Sequence, residues 1–143
     1  AVVSRVNDCQ AKLIICSDGS FRGNKAIDLK GIIDEAVENT PTVEKVLVVK
    51  RTGSEVKMKE GRDFWLEPLY EKAPADFISV IMDAEDPLFI LYTSGSTGKP
   101  KGMVHTCGGY MVETAYSFDN IFQIILNQLQ FLHHKIYQFL YLF

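Results

Sequence analysis

Cysteines are few in this chain, and their spacing suits neither metal nor disulfide sites. Cys9, Cys16 and Cys107 are an odd number, and no two of them form a C-x-x-C pair. Structural zinc and a disulfide framework are therefore disfavoured, and we expect a reducing, cytoplasmic environment. Polybasic runs are also lacking, since 15 basic and 18 acidic residues give a net charge of −3. We therefore expect neither nucleic acid nor an anionic membrane surface as a partner.

Targeting and membrane signals are lacking as well. No basic region precedes a long apolar segment near residue 1, so we expect no secretory signal. Polar residues interrupt the apolar run of 121–143 throughout, which disfavours a membrane span. The composition, 47% hydrophobic and 23% charged over 143 residues, is typical of about one globular domain. Because the chain does not begin with methionine, and because 1–6 has the pattern of an element already under way, we expect a fragment.

The first half has the pattern of a strand–helix–strand unit. A short apolar strand is predicted at Lys12–Ser17, with turn residues following at Asp18–Ser20. Asp28 is placed to cap a helix over Leu29–Glu38, and a second strand follows at Val46–Val49. Such a unit joins neighbouring parallel strands, so the sequence predicts an α/β fold.

The second half is less regular at first. Prolines and scattered charges interrupt Glu55–Ala84, and we expect no long element there. A strand is predicted at Leu88–Tyr92, and Lys101–His105 can return as its partner. Thr106 is placed to cap a helix that extends through Phe118.

Between those two strands lies the most informative segment, Tyr92–Gly102, with the sequence YTSGSTGKPKG. Its glycines permit backbone angles that a Cβ would forbid, so peptide N–H groups can approach an anion closely. Its hydroxyls and lysines add donors and positive charge. It is not a Walker loop, because two residues rather than four separate Gly95 from Gly98, and Pro100 follows the first lysine. A phosphate-binding loop is favoured over a flexible surface hairpin.

The remaining candidates carry weaker signals. The basic turn at Arg22–Lys25 could capture phosphate, but from the residues alone a solvated turn is favoured. His105 lacks an acidic partner at a fixed spacing, and His133 and His134 would point to different faces of a helix. The acidic residues of 83–86 indicate a surface turn. We therefore predict no catalytic residue and no metal ligand within the chain.

Three stretches together resemble a known family. The string TSGSTGKPKG from Thr93 to Gly102 matches the phosphate-loop signature of the adenylate-forming superfamily, which contains acyl-CoA synthetases, luciferases and the adenylation domains of peptide synthetases. Its surroundings at Asp83–Gln123, and the upstream stretches Arg5–Gly53 and Met58–Trp65, resemble AMP-forming acetyl-CoA synthetases. The resemblance covers about residues 1–123.

That resemblance implies a fold and a reaction. Residues 1–123 would form part of the N-terminal AMP-binding domain, an α/β structure of strand–helix–strand units with a glycine-rich phosphate-loop hairpin. The family converts ATP, acetate and CoA to acetyl-CoA, AMP and diphosphate through acetyl-adenylate, and Mg²⁺ accompanies the ATP. The residues that would bind the ATP phosphates are Thr93, Ser94, Gly95, Ser96, Thr97, Gly98 and Lys99.

The resemblance also changes the interpretation of the basic turn. The family contacts the nucleotide end of CoA with an arginine-x-x-arginine turn, which aligns with Arg22, Gly23, Asn24 and Lys25. Lys25 keeps the charge of the second arginine but lacks its planar fork. We therefore expect the turn to bind CoA, and to bind it more weakly than the family pattern would.

Several parts of the family have no counterpart in this sequence: the acetate pocket, the adenine and ribose motifs, the hinge and the C-terminal domain with its adenylation lysine. We therefore expect no turnover of acetate by this chain alone. A propionyl-CoA or other short-chain acyl-CoA synthetase is an alternative, because the residues that size the acyl pocket lie outside the chain. A non-catalytic nucleotide- or CoA-binding module and a helical interaction protein are further alternatives.

The resemblance stops after Gln123, so residues 124–143 form a divergent tail. One interpretation is an amphipathic helix, because apolar residues recur at three- and four-residue steps from Phe122 to Phe143. The other is a frameshift, because the residue types are those of A/T-rich codons. The abrupt loss of similarity favours the frameshift.

Overall fold

The computed structural model describes residues 1–94 and 98–121. The chain divides into two compact units. Unit 1 comprises residues 1–79 and 94–101, and unit 2 comprises residues 80–93 and those from 102 onward. The predicted tail helix and the two tail histidines lie outside the described residues. Within the described part, no helix is long and apolar enough to cross a membrane.

Unit 1 is built on a small parallel sheet. Its strands lie in the order β1-β4-β5, and both pairs are parallel. A separate two-stranded antiparallel hairpin is formed by β2 and β3. The elements of unit 1, in chain order, are α1 (Val2–Cys9), β1 (Leu13–Ser17), β2 (Ser20–Arg22), β3 (Lys25–Ile27), α2 (Leu29–Val37), β4 (Lys45–Val49), β5 (Asp63–Trp65) and α3 (Glu67–Tyr70).

The predicted strand–helix–strand unit is confirmed as β1–α2–β4. Asp28 caps α2 as expected, because its Oδ1 accepts a hydrogen bond from the backbone N–H of Gly31 at 2.8 Å. Val46 and Val48 alternate along β4 and are fully buried, as the two-residue period of a strand requires. Ile33 of α2 completes this small core against the sheet.

The segment predicted to be irregular contains two further elements, β5 and α3. Val46 of β4 pairs with Asp63 at the start of β5, so the sheet extends by one strand. The strand has only three residues and begins with a carboxylate, so it lacks the apolar run from which a strand is predicted. Pairing with β4 decides its conformation.

A buried ionic cluster joins α2 to this third strand. Lys30 is 1% exposed, and its Nζ lies 2.8 Å from Asp63 Oδ2 and 2.7 Å from Asp34 Oδ1. Arg62 also contacts both carboxylates. Burial alone would raise the pKa of the Asp63 carboxyl, but the bonds from Arg62 and Lys30, together with the backbone N–H of Lys59, lower the net pKa below its usual range. The charges are therefore matched inside the unit.

Asp18 lies in the predicted turn between β1 and β2, and its side chain is fully buried there. Its Oδ1 accepts backbone N–H bonds from Gly19 at 2.7 Å, Arg51 at 3.0 Å and Thr52 at 2.9 Å, and its Oδ2 accepts from Gly53 at 2.7 Å. Burial on its own would raise the pKa of this carboxyl. The four backbone donors outweigh burial, and the net pKa lies well below its ordinary value.

The described part of unit 2 contains a strand pair and one helix: β6 (Pro87–Thr93), β7 (Lys101–Thr106) and α4 (Cys107–Asn120). The two strands are joined by residues 94–100, and that connection is shorter than a parallel crossover needs. Thr106 caps α4 as predicted, because its Oγ1 accepts from the backbone N–H of Gly109 at 3.3 Å. Both predicted strands and the predicted helix are confirmed.

The ionised form of Asp18 stabilises the folded chain, and acid removes that contribution. The carboxyl has a pKa of about 3.9 when unfolded. Because its folded pKa is lower, the stabilisation is present above about pH 4 and declines as the pH falls below it. We expect Asp18→Asn to lower the free energy of unfolding by about 1–3 kcal/mol at pH 7, since backbone donors lose a charged acceptor. The difference in the free energy of unfolding between the variant and the unmodified chain should be smaller at pH 3. Urea unfolding at both pH values measures it.

Asp28→Asn is the matched control for this prediction. Asparagine caps helices about as well as aspartate, so this change should alter stability little at either pH. An Asp18→Asn deficit of equal size at pH 7 and pH 3 would contradict the role assigned to the charge.

Candidate functional site

The predicted phosphate-binding segment begins at the end of β6 and leads into β7. Thr93 is the last residue of β6, and Lys101 is the first of β7. Four of the seven predicted residues are described, and all four are exposed: Thr93, Ser94, Gly98 and Lys99. The other three, Gly95, Ser96 and Thr97, lie outside the described residues. The described hydroxyls and the Lys99 ammonium are therefore open to a ligand from solution.

Two glycines of the segment have different physical roles. Gly98 has a φ of 76°, a left-handed conformation that side-chain-bearing residues rarely adopt. This supports the predicted need for backbone freedom at that position. Gly102 has no such angle. A Cβ there would lie 3.0 Å from Ile90 Cγ2 and 3.1 Å from Tyr92 Cε1, so a larger residue would crowd these side chains of β6. The prediction of backbone freedom was wrong for Gly102.

Hydrogen bonds and ring stacking hold the strand pair and α4 together within unit 2. The first two backbone N–H groups of α4 donate to carbonyl oxygens of the segment before β6. Cys107 donates to Asp86 at 3.0 Å, and Gly108 donates to Ala84 at 2.8 Å. His105 stacks on Phe89 with ring centroids 4.7 Å apart. These contacts connect β6, β7 and α4 to one another, and they give His105 a packing role.

The basic turn is the tip of the β2–β3 hairpin. Arg22 and Lys25 are directly paired across the two strands, and Gly23 between them has a φ of 60°. Directly paired residues present their side chains on the same face of a hairpin. All four residues of the turn are exposed. Because like charges directly opposite each other destabilise a hairpin, this arrangement favours an anion as the group that they contact.

Among the described residues, carboxylates and histidines provide no comparable site. In residues 1–94 and 98–121, no group of three or more His, Cys, Asp or Glu side chains is arranged to hold a metal ion. The acidic turn before β6 is held by its own hydrogen bond, in which the backbone N–H of Asp83 donates to Asp86 Oδ2 at 2.8 Å. Within the described residues, the exposed phosphate segment and the exposed basic turn are thus the candidate surfaces for an anion.

Comparisons with known proteins agree with this architecture. A family model described as AMP-binding enzyme matches residues 1–142. The acetyl-coenzyme A synthetase of Mycolicibacterium smegmatis is 50% identical over 124 residues, which are 87% of this chain and 13% of that protein. The acetyl-coenzyme A synthetase of Syntrophus aciditrophicus is 56% identical over 118 residues, which are 82% of this chain and 18% of that protein. The chain therefore spans less than a fifth of the length of these relatives.

A solved structure gives the same fold. The acetoacetyl-CoA synthetase from Streptomyces lividans matches with a TM-score of 0.70 and 27% sequence identity, over 82% of this chain and 18% of that one. The mixed α/β architecture with its parallel sheet thus corresponds to the N-terminal domain of an adenylate-forming enzyme, as the resemblance implied. Sequence and structure lead to one conclusion: the chain belongs to the AMP-binding enzyme family.

Proposed function

We propose that this chain is part of an AMP-forming acetate–CoA ligase, which converts ATP, acetate and CoA to acetyl-CoA, AMP and diphosphate through acetyl-adenylate. The carrying observation is the identity of about 50% with acetyl-coenzyme A synthetases over 87% of the chain. A match of that extent in a chain of 143 residues includes both the basic turn and the phosphate segment. Identity with the acetoacetyl-CoA synthetase is lower, at 27%, which favours acetate over that substrate.

In this proposal the segment after β6 binds the β- and γ-phosphates of MgATP. Exposed hydroxyls at Thr93 and Ser94 are available as donors, and Lys99 supplies a positive charge. Transfer of an adenylyl group to acetate expels diphosphate, so negative charge grows on the phosphates that leave. Donors held around those oxygens stabilise that charge without taking part in covalent chemistry.

Loss of the Lys99 charge should weaken ATP binding. A hydrogen bond from a charged group contributes about 1.5–3 kcal/mol, so we expect Lys99→Ala to raise the Kd for MgATP by about tenfold or more. Titration calorimetry on the purified chain measures this. The matched control is Lys72→Ala, because Lys72 is also an exposed lysine of unit 1 but lies outside the motif. Equal affinity in the two variants would contradict the assignment of Lys99.

The basic turn would bind the nucleotide end of CoA. Arg22 can form a bidentate pair with a phosphate, whereas Lys25 acts as a point charge. We expect Arg22→Ala to raise the Kd for CoA about tenfold, and Lys25→Arg to lower it several-fold, because the second planar fork is restored. Calorimetry with CoA and with dephospho-CoA, which lacks the 3′-phosphate, tests whether the turn contacts that phosphate. If Lys25→Arg weakened CoA binding, the proposed alignment of the turn would be wrong.

We expect the purified chain to release no diphosphate in response to acetate. Adenylation requires acetate, adenosine and phosphates to be held together, whereas this chain spans 13–19% of the length of its curated relatives. A coupled diphosphate assay with and without acetate measures the difference. Acetate-dependent release above the acetate-free rate would contradict this expectation and give the chain an activity of its own.

A cytoplasmic location is part of the same proposal. It is supported by three free cysteines, of which Cys9 is exposed, because such thiols are usual in a reducing compartment.

A further inference from the structure

The β2–β3 hairpin depends on its base for a fixed orientation. Each strand has only three residues, and an isolated two-stranded hairpin is marginally stable in water. Arg22 and Lys25 lie at the far end of these strands, next to the turn. Small rotations at the base therefore move the two cations by the largest amount.

Asp18 lies directly at that base. Its carboxylate accepts from the N–H of Gly19, the residue before β2, and from the N–H groups of residues 51–53 that follow β4. A Cβ on Gly19 would lie 2.9 Å from Thr52 Oγ1 and 3.1 Å from the carbonyl oxygen of Ile27. The turn after β4 is thus packed against Gly19, just before the hairpin begins, and the carboxylate of Asp18 holds that turn.

The other end of the hairpin is connected to the same residue. Ile27 ends β3, and Asp28 then caps α2. In the first turn of that helix the backbone N–H of Lys30 donates to the carbonyl oxygen of Asp18 at 3.3 Å. The segment from Gly19 to Lys30 therefore begins and ends at residues whose backbone N–H groups donate to Asp18.

We propose that Asp18 is a positioning residue for CoA binding, whose carboxylate fixes the base of the hairpin so that Arg22 and Lys25 meet the ligand in one orientation. This inference rests on the proposed CoA role of the turn. Asp18 itself does not touch the ligand, since its side chain is fully buried. Its effect on CoA should therefore pass through Arg22 and Lys25.

A double-mutant cycle on CoA binding tests this dependence. We expect Asp18→Asn to raise the Kd for CoA about tenfold in the unmodified chain and by a clearly smaller factor in the Arg22→Ala background, because only one of the two oriented cations remains there. The matched control is Asp63→Asn, the same change at another fully buried aspartate of the sheet, which is bonded to Lys30 and Arg62 instead. Its CoA affinity should stay within about twofold of the unmodified chain, measured by calorimetry below the thermal midpoint of each variant.

The outcomes separate the two proposals. If Arg22→Ala leaves CoA affinity unchanged, the CoA role of the turn fails, and the role of Asp18 fails with it. If Arg22→Ala weakens binding but Asp18→Asn does not, only the inference about Asp18 is wrong. Additive losses in the double variant, or an Asp63→Asn loss as large as that of Asp18→Asn, would reduce Asp18 to a general stabilising residue.

A second variant covers the case in which Asp18→Asn does not fold. Gly19→Ala leaves the carboxylate in place but introduces the close contacts with Thr52 and Ile27. We expect it to raise the Kd for CoA several-fold while far-UV circular dichroism stays unchanged, and unaltered CoA affinity in a folded Gly19→Ala chain would overturn the proposal.

Discussion

One buried carboxylate organises the edge of the sheet where the proposed CoA site lies. A charge removed from water is strongly unfavourable unless hydrogen bonds replace its hydration. Asp18 obtains those bonds entirely from backbone N–H groups, four of them within 3.0 Å. One donor, Gly19, follows β1, and the other three, residues 51–53, follow the neighbouring strand β4. The bonds that stabilise the charge therefore also fix the turn that follows β4. The hairpin and the start of α2 are built outward from that point.

The apolar part of unit 1 is small by comparison. Its buried cluster consists of Ile33, Val46 and Val48, with partly buried neighbours such as Trp65 around it. Among the described residues, large apolar side chains are also left in solvent, above all in 77–82, where Ile78 is 93% and Ile81 97% exposed. Exposed apolar stretches of this size usually mark surfaces that other polypeptide covers. Such exposure agrees with a chain that spans less than a fifth of its curated relatives.

Local patterns were sufficient to predict some elements and not others. The strand β1, the helix α2 with its Asp28 cap and the strand β4 carry their own periodicity and capping residues, so the sequence predicted them to within one or two residues. The strand β5 has no such pattern and depends on pairing with β4. Asp18 was predicted as a turn residue for a related reason. Its type indicated a turn, but the donors that bury it come from residues 51–53, which no local pattern connects to it.

The candidate site also has one part that local sequence predicts and one part that it does not. The composition of the phosphate segment predicts an anion-binding loop, and the structure adds that Gly98 has the left-handed backbone angle for which glycine is suited. The basic turn was not predicted from its residues, because two cations around Gly23 and Asn24 are as common in solvated loops. Its proposed role with CoA came from the family resemblance, and the cross-strand pairing of Arg22 with Lys25 is what the fold adds. Close packing, invisible in a motif, likewise explains Gly102.

The ionic cluster beneath α2 has a consequence for how uniquely the chain is folded. The apolar contacts of Ile33 on α2 with Val46 and Val48 on β4 could form at several helix orientations with similar energy. The contacts of Lys30 could not, because its buried ammonium meets Asp63 and the carbonyl of Lys57 in one helix orientation only. Sliding or rotating the helix would leave a buried charge without a partner, which is far more unfavourable than a packing defect. We infer that the cluster contributes conformational specificity more than stability, selecting a single docking of α2 on a sheet whose apolar core would tolerate several.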